Sequence, residues 1–238
     1  MSQHVECTTE GPVTTISLSR PEAGNRLTNA MAAAVAAALD ASTASRVIVL
    51  RGAGADFCLG RDMQPPKPGS KVSPLEVMRD DTTPMLELFE AFRRRKQPIV
   101  GVIQGRAWGI GTVFAGMCDV TFAATNATFR LAELERGIPP CIALSALLDR
   151  MPKKVLAHMV YSTSEMGAAT ALSSGLISVT VDGAALEESV REFTARLVSF
   201  GPGTVEAVKL YLDTAPHFNE ANAAVYGSSV LANILASR

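Results

Sequence analysis

The chain has 238 residues, 47% hydrophobic and 19% charged, which is enough apolar mass for one large core or a core with an appendage. Twenty-two Lys and Arg against 23 Asp and Glu leave a formal net charge of -1, so no overall field draws the chain toward nucleic acid or an anionic membrane. The opening MSQHVECTTEGP lacks the basic start and apolar stretch of a signal peptide, and no uncharged apolar run reaches the ~18 residues of a spanning helix, which predicts a soluble, cytoplasmic protein. Cys7, Cys58, Cys118 and Cys141 stand singly and the histidines are only His4, His158 and His217, so reduced thiols and no metal site are expected.

In chain order, Val13-Thr-Thr-Ile-Ser-Leu18 alternates in the manner of a strand. Thr28 is placed to cap a helix whose Met31, Val35 and Leu39 recur at i, i+4 and i+8 on an alanine-rich background. Val47-Ile-Val-Leu50 and Ile99-Val-Gly-Val-Ile103 are continuous apolar runs, suited to strands covered on both faces, and strand, helix, strand implies a crossover unit. Gln64-Pro-Pro-Lys-Pro-Gly69 reads as a loop. Ser73-Pro-Leu-Glu76 reads as a capping box, and Thr83-Pro84 as the start of a helix striped by Met85, Leu88, Phe89 and Phe92. That helix ends in Arg93-Arg-Arg-Lys96, cations that suit the negative end of its dipole and read as a solvated terminus.

Beyond residue 142 helical patterns dominate, broken at Pro152, near Gly175 and at Gly201-Pro-Gly203. Ile177-Ser-Val-Thr-Val181 is one more strand or an extended link, and residues 219–235 form a late helix. The expected architecture is α/β, with residues 1–190 as the core and 191–238 as a helical extension of the same domain or an oligomerisation region.

Two strands run into glycines: Val47 to Leu50 is followed by RGAGADFCLGRDM, and Ile99 to Ile103 by the segment containing RAWGIGTVFAGMCD. Neither completes the dinucleotide fingerprint, and a P-loop and a serine-esterase elbow are both missing. Two readings remain open. The glycines serve tight strand-to-helix packing, or they let backbone N–H groups at a helix start approach a ligand and bind a developing oxyanion.

Leu18-Ser-Arg-Pro-Glu-Ala-Gly-Asn-Arg-Leu27, the run from Val47 through Gly60-Arg-Asp62, Pro98-Ile-Val-Gly-Val-Ile-Gln-Gly105 and Cys118-Asp119 together resemble the enoyl-CoA hydratase/isomerase (crotonase) superfamily, over roughly residues 12–212. The resemblance implies a spiral of ββα units in which the backbone N–H groups of Arg61 and Ile110 polarise the thioester carbonyl of an acyl-CoA. It places the segment around Ala23 and Asn25, and the loop with Ala55, Phe57, Leu59 and Gly60, near coenzyme A. The coenzyme is part of the substrate, and no separate cofactor is implied. Arg20 and Lys209 are possible cationic partners of its phosphates. Gly109, Gly111 and Val113 would line the acyl site. Trp108, Pro140 and Cys141 would join them unless they serve ordinary packing, and Asp119 reads as a buried hydrogen-bonding group.

Hydratases of the family use two glutamates. At the first position this chain has Val113, which cannot act as acid or base; the second matches Glu133 in Ala127-Thr-Phe-Arg-Leu-Ala-Glu-Leu-Glu-Arg-Gly-Ile-Pro-Pro140. A lone carboxylate fits transfer of a proton from C2 to C4, turning a 3-enoyl-CoA into a 2-enoyl-CoA. Enoyl-CoA hydratase is the nearest alternative, and a non-catalytic acyl-CoA-binding scaffold is the alternative of another class. The resemblance also implies a homo-oligomer, a trimer or dimer of trimers.

Overall fold

A computed structural model describes residues 3–63 and 71–237; the loop expected at residues 64–69 lies outside them. Two strands, β1 (Val5–Glu10) and β2 (Val13–Leu18), form an antiparallel hairpin, and β2 then pairs in parallel with β3 (Val47–Gly52) after the crossover helix α1 (Asn29–Ala41). The Thr28 hydroxyl accepts the Met31 N–H at 3.1 Å, and Met31, Val35 and Leu39 are buried, as the spacing predicts. The capping box of Ser73 and Glu76 opens the short helix α2 (Pro74–Val77), which passes through a π turn, Met78–Thr82, into α3 (Thr83–Arg93). Met85, Leu88, Phe89 and Phe92 are buried on α3.

The next stretch repeats one unit. Strand β4 (Ile99–Ile103) joins the large sheet, β5 (Arg106–Trp108) a small one, and α4 (Ile110–Met117) follows; then β6 (Val120–Ala124) joins the large sheet and β7 (Thr128–Arg130) the small one. After α5 (Cys141–Leu147) and α6 (Lys153–Ser162), β8 (Met166–Gly167) completes the small sheet, and α7 (Ala168–Ser173) leads to β9 (Val179–Val181) at the edge of the large one. The large sheet has the order β1-β2-β3-β4-β6-β9, parallel from β2 onward, and the small sheet the order β5-β7-β8. Each turn of the spiral therefore adds a strand to both layers. The expected strand at 177–181 forms only over Val179–Val181.

Strand alternation sorts the apolar runs onto two faces. Ile48 and Leu50 point into the main core with α1, α3 and α4, whereas Val47 and Val49, with Val100, Val102 and Phe122, pack under α8 (Leu186–Ser199). Helix α8 runs across residue 190. It is followed by α9 (Pro202–Thr214) and α10 (Glu220–Ala236), and Asn219 caps α10 by accepting the Asn222 N–H at 2.9 Å.

Two clusters of charge have structural duties. Arg94 and Arg95 at the end of α3 are not merely solvated: both pair with Asp40, and Arg95 Nη1 also donates to the Leu39 carbonyl at 2.9 Å, binding α3 to the end of α1. Lys209, considered above as a phosphate partner, is buried on α9. Its ammonium meets Asp119 Oδ1 at 2.5 Å and Asp213 Oδ2 at 3.2 Å, while Asp119 Oδ2 accepts the Ile99 N–H at 2.7 Å. This ion pair joins α9 to the start of β4, and its ammonium is unavailable to a ligand. Removing one partner of a buried pair leaves the other charge uncompensated. Lys209→Ala is expected to cost about 3 kcal/mol, read as the change in urea midpoint at constant slope.

Candidate active site

The turn after β3 and the turn after β5 lie against each other. Cys58 N donates to the Arg106 carbonyl at 3.1 Å and Trp108 N to the Cys58 carbonyl at 2.8 Å, so Cys58 and Ala107 form a parallel bridge. A second bridge joins Leu27 to Arg61: Leu27 N donates to Gly60 O and Asp62 N to Leu27 O, both at 2.9 Å. In that pattern the residues flanking Arg61 face Leu27, and the N–H of Arg61 itself points away from it. On the other turn, Ile110 is the first residue of α4, so its N–H precedes the helical ladder. Among the described residues neither N–H donates to a backbone carbonyl.

The two glycines of this second turn do different work. Gly109 has φ +53°, disfavoured for any side chain, and a Cβ there would lie 3.2 Å from Gly60 Cα and 3.4 Å from Glu133 Oε1. Gly111 serves packing, because a Cβ on it would collide with the Cys58 carbonyl. Gly111 thus follows the packing reading, while Gly109 lets the two turns and Glu133 come close together.

Between the turns and α3 lies a cavity of about 610 Å³. Arg61, Ile110, Glu133, Leu59, Gly60, Trp108, Gly109, Val113, Pro140 and Cys141 all line it. Ala23, Asn25, Ala55, Phe57 and Gly111 do not, for physical reasons. Asn25 is fully buried at φ +52°; its Oδ1 accepts the Arg20 N–H at 2.9 Å, and its Nδ2 donates to the carbonyls of Ala53 and Asp56 at 2.8 and 2.9 Å. Its amide is consumed in clamping two loops. Phe57 is buried edge-on against Phe114, Ala23 is half-buried and Ala55 is exposed. Arg20 is engaged by Asp62 at 2.5 Å.

The sequence reading missed the opposite wall, formed by Asp81, Thr82, Met85 and Phe89, with Arg26 on the turn side. The helical stripe does identify Met85 and Phe89, but periodicity reports only that a residue faces inward, not whether it meets protein or an empty space. Trp108 is half-buried, with the guanidinium carbons of Arg106 and Arg130 at 5.2 and 5.4 Å from its ring centre and its Nε1 donating to Thr128 Oγ1 at 3.3 Å. Arg130 is held in turn by Glu135 and by the Thr163 carbonyl.

Glu133 opens a single-turn 3-10 helix, Glu133–Arg136, with Oε1 beside Gly109 and Oε2 buried without a hydrogen-bond partner among the described residues. Burial raises its carboxyl above the usual value of 4.5, opposed by its own backbone N–H and by the charge of Arg136. Val113, one helical turn from Ile110, is fully buried on the cavity wall and offers only methyl groups. The arrangement joins N–H donors from two turns, the Glu133 carboxyl beside them and a largely apolar chamber, which suits a carbonyl whose oxygen gains charge while a neighbouring carbon loses a proton. Among the described residues no group of three or more His, Cys, Asp or Glu is placed to hold a metal ion, and no helix is long and apolar enough to cross a membrane.

Because burial raises the Glu133 pKa, the folded state binds that proton more tightly than the unfolded chain. Its contribution favours folding below the usual value and is lost as pH rises through the raised one. Glu133→Gln, which cannot ionise, is therefore expected to melt about 2 °C above the unaltered protein at pH 8. The difference should vanish below pH ~4, where both side chains are neutral. Thermal scans across that range check it.

The Enoyl-CoA hydratase/isomerase family model matches residues 8–234. The chain is 32% identical to the (E)-benzylidenesuccinyl-CoA hydratase of Thauera aromatica over 82% of its own length and 76% of that protein. It is 29% identical to the 2,3-dehydroadipyl-CoA hydratase of Escherichia coli K12, over 82% and 75%. Among solved structures, an enoyl-CoA hydratase from Mycobacterium smegmatis superposes with a TM-score of 0.91 at 21% identity, covering 98% of this chain and 91% of that one. Human enoyl Coenzyme A hydratase domain-containing protein 3 gives 0.90 at 21%, covering 98% and 92%. With the spiral, the paired turns and the family match in agreement, the protein belongs to the enoyl-CoA hydratase/isomerase family and has the crotonase fold.

Proposed function

We propose that the protein is an enoyl-CoA isomerase that moves a double bond from C3 to C2 of an acyl-CoA thioester. The observation that carries this reading is the pairing of Glu133, whose Oε2 is buried without a partner among the described residues, with Val113 at the place where a second acid would stand. The N–H groups of Arg61 and Ile110 bind the thioester oxygen. Glu133 takes the C2 proton, the charge moves onto that oxygen, and the double bond forms anew as Glu133 returns the proton at C4. Bonds and charge balance with no water consumed. Each N–H that meets the oxygen only as it becomes anionic contributes about 3 kcal/mol to the transition state.

A second reading, hydration of a 2-enoyl-CoA, is favoured by the names of the relatives, both of them hydratases. It asks one carboxylate to hold and deprotonate water beside a valine, which can neither orient that water nor return a proton.

Product analysis with a 3-enoyl-CoA and with crotonyl-CoA separates the two. Isomerisation is expected in the first case, falling about a thousandfold in Glu133→Gln, with slow or no hydration in the second. Rapid hydration lost in Glu133→Gln, without isomerisation, would establish the hydratase; acyl-CoA binding with neither turnover would establish a scaffold. Since the base works ionised and burial raises its pKa, the acidic limb of kcat/KM against pH should lie above 4.5 and be missing from the residual rate of Glu133→Gln.

A further inference from the structure

The side chain of Arg61 makes contacts that its N–H does not require. Its Nη1 donates to the Asp81 carbonyl at 2.9 Å and its Nη2 to Asn29 Oδ1 at 2.9 Å, with Asp81 Oδ1 a further 3.9 Å from Nη2. Asn29 Nδ2 closes the ring by donating to the Asp80 carbonyl at 2.7 Å. Both carbonyls belong to the π turn, whose wider ladder runs from Thr83 N to Met78 O.

The tie matters because little else holds this segment. No residue of α2 or of the π turn is buried, and Leu75 and Met78 are 74% and 59% exposed. Apolar packing begins only at Met85. Yet Val77, Asp81 and Thr82 are part of the cavity wall, which Met85 and Phe89 continue. The segment that bounds the chamber is therefore fastened by polar bonds to a guanidinium whose main chain offers one of the two N–H donors. The fastening has a cost, since Arg61 Nε is buried without a partner among the described residues.

We propose that Arg61 and Asn29 form a latch that fixes the α2–π–α3 wall at one distance from the N–H donor, so that this pair of positioning residues sets the length of acyl chain the cavity accepts. The inference rests on the acyl-CoA reading above. Arg61→Ala keeps the N–H and releases the wall; Asn29→Ala releases it without touching a residue that meets substrate. Asn29→Asp keeps the acceptor that faces Arg61 but loses the donor that reaches the Asp80 carbonyl.

The test uses the full chain and saturated acyl-CoAs, which bind but do not react. Calorimetric titration with butyryl-CoA and decanoyl-CoA is expected to show the ratio of their Kd values shifting about fivefold toward the longer chain in Arg61→Ala and Asn29→Ala, with a smaller shift in Asn29→Asp, which retains only the bond to Arg61. Amide hydrogen exchange of the ligand-free variants should quicken over residues 74–85 and nowhere else. Binding with an unchanged ratio, or unchanged exchange over 74–85, overturns the latch. Failure of the unaltered protein to bind either thioester rejects the acyl-CoA reading instead, and exchange in the free variants then decides whether Arg61 holds the wall.

Discussion

The active-site arrangement depends on the short parallel bridge between Cys58 and Ala107. Two bonds, Cys58 N to Arg106 O and Trp108 N to Cys58 O, set the turn after one strand against the turn after another, though the two are about fifty residues apart in sequence. Everything at the site is measured from that contact. It brings Gly60 under Gly109, and it allows the start of α4 to sit on the Cys58 carbonyl only because Gly111 has no Cβ. Two N–H groups that no local sequence rule would pair then border one cavity. The bridge is itself buried, and burial pushes the Cys58 thiol up to about 12, so the sulfur at the centre of the contact stays protonated and inert.

The electrostatics follow from the same enclosure. A carboxylate in water is satisfied by solvent, whereas Glu133 Oε2 has lost solvent and gained no donor. That is an energetic cost to the fold, and it raises the proton affinity of the carboxyl. Carboxylates that serve architecture show the contrast. Asp56, gripped by Arg106, and Asp40, gripped by Arg94, are held below the usual carboxylate range and stay ionised. Proton affinity thus separates Glu133 from these ion-paired carboxylates.

The same economy extends to the arginines. Arg130 braces Trp108, Arg95 fastens α3 to α1, and Arg61 spans to the π turn. Guanidinium groups suit these tasks because several fixed donors can satisfy carbonyls from separate segments at once, which an ammonium does less well. Lys209 instead sits as a compact charge between two carboxylates, Asp119 and Asp213, where a point charge is enough.

The sequence by itself determined the strand at Val13 to Leu18, the capped helix after Thr28, the two buried strands and the stripe of α3, because each is a local pattern whose period is set by backbone geometry. The two glycine turns were legible too, since each is a contiguous motif, whereas Glu133 was singled out only by the family resemblance. The sequence could not show the short strands of the small sheet: three residues carry too little periodicity to register, and they form only because neighbours from distant turns supply their hydrogen bonds. Nor could it tell that Asn25 spends its amide on two loops, or that Lys209 is neutralised by an aspartate ninety residues away. Whether a polar side chain is free for a ligand depends on what the folded chain places beside it, and only the tertiary structure decides that.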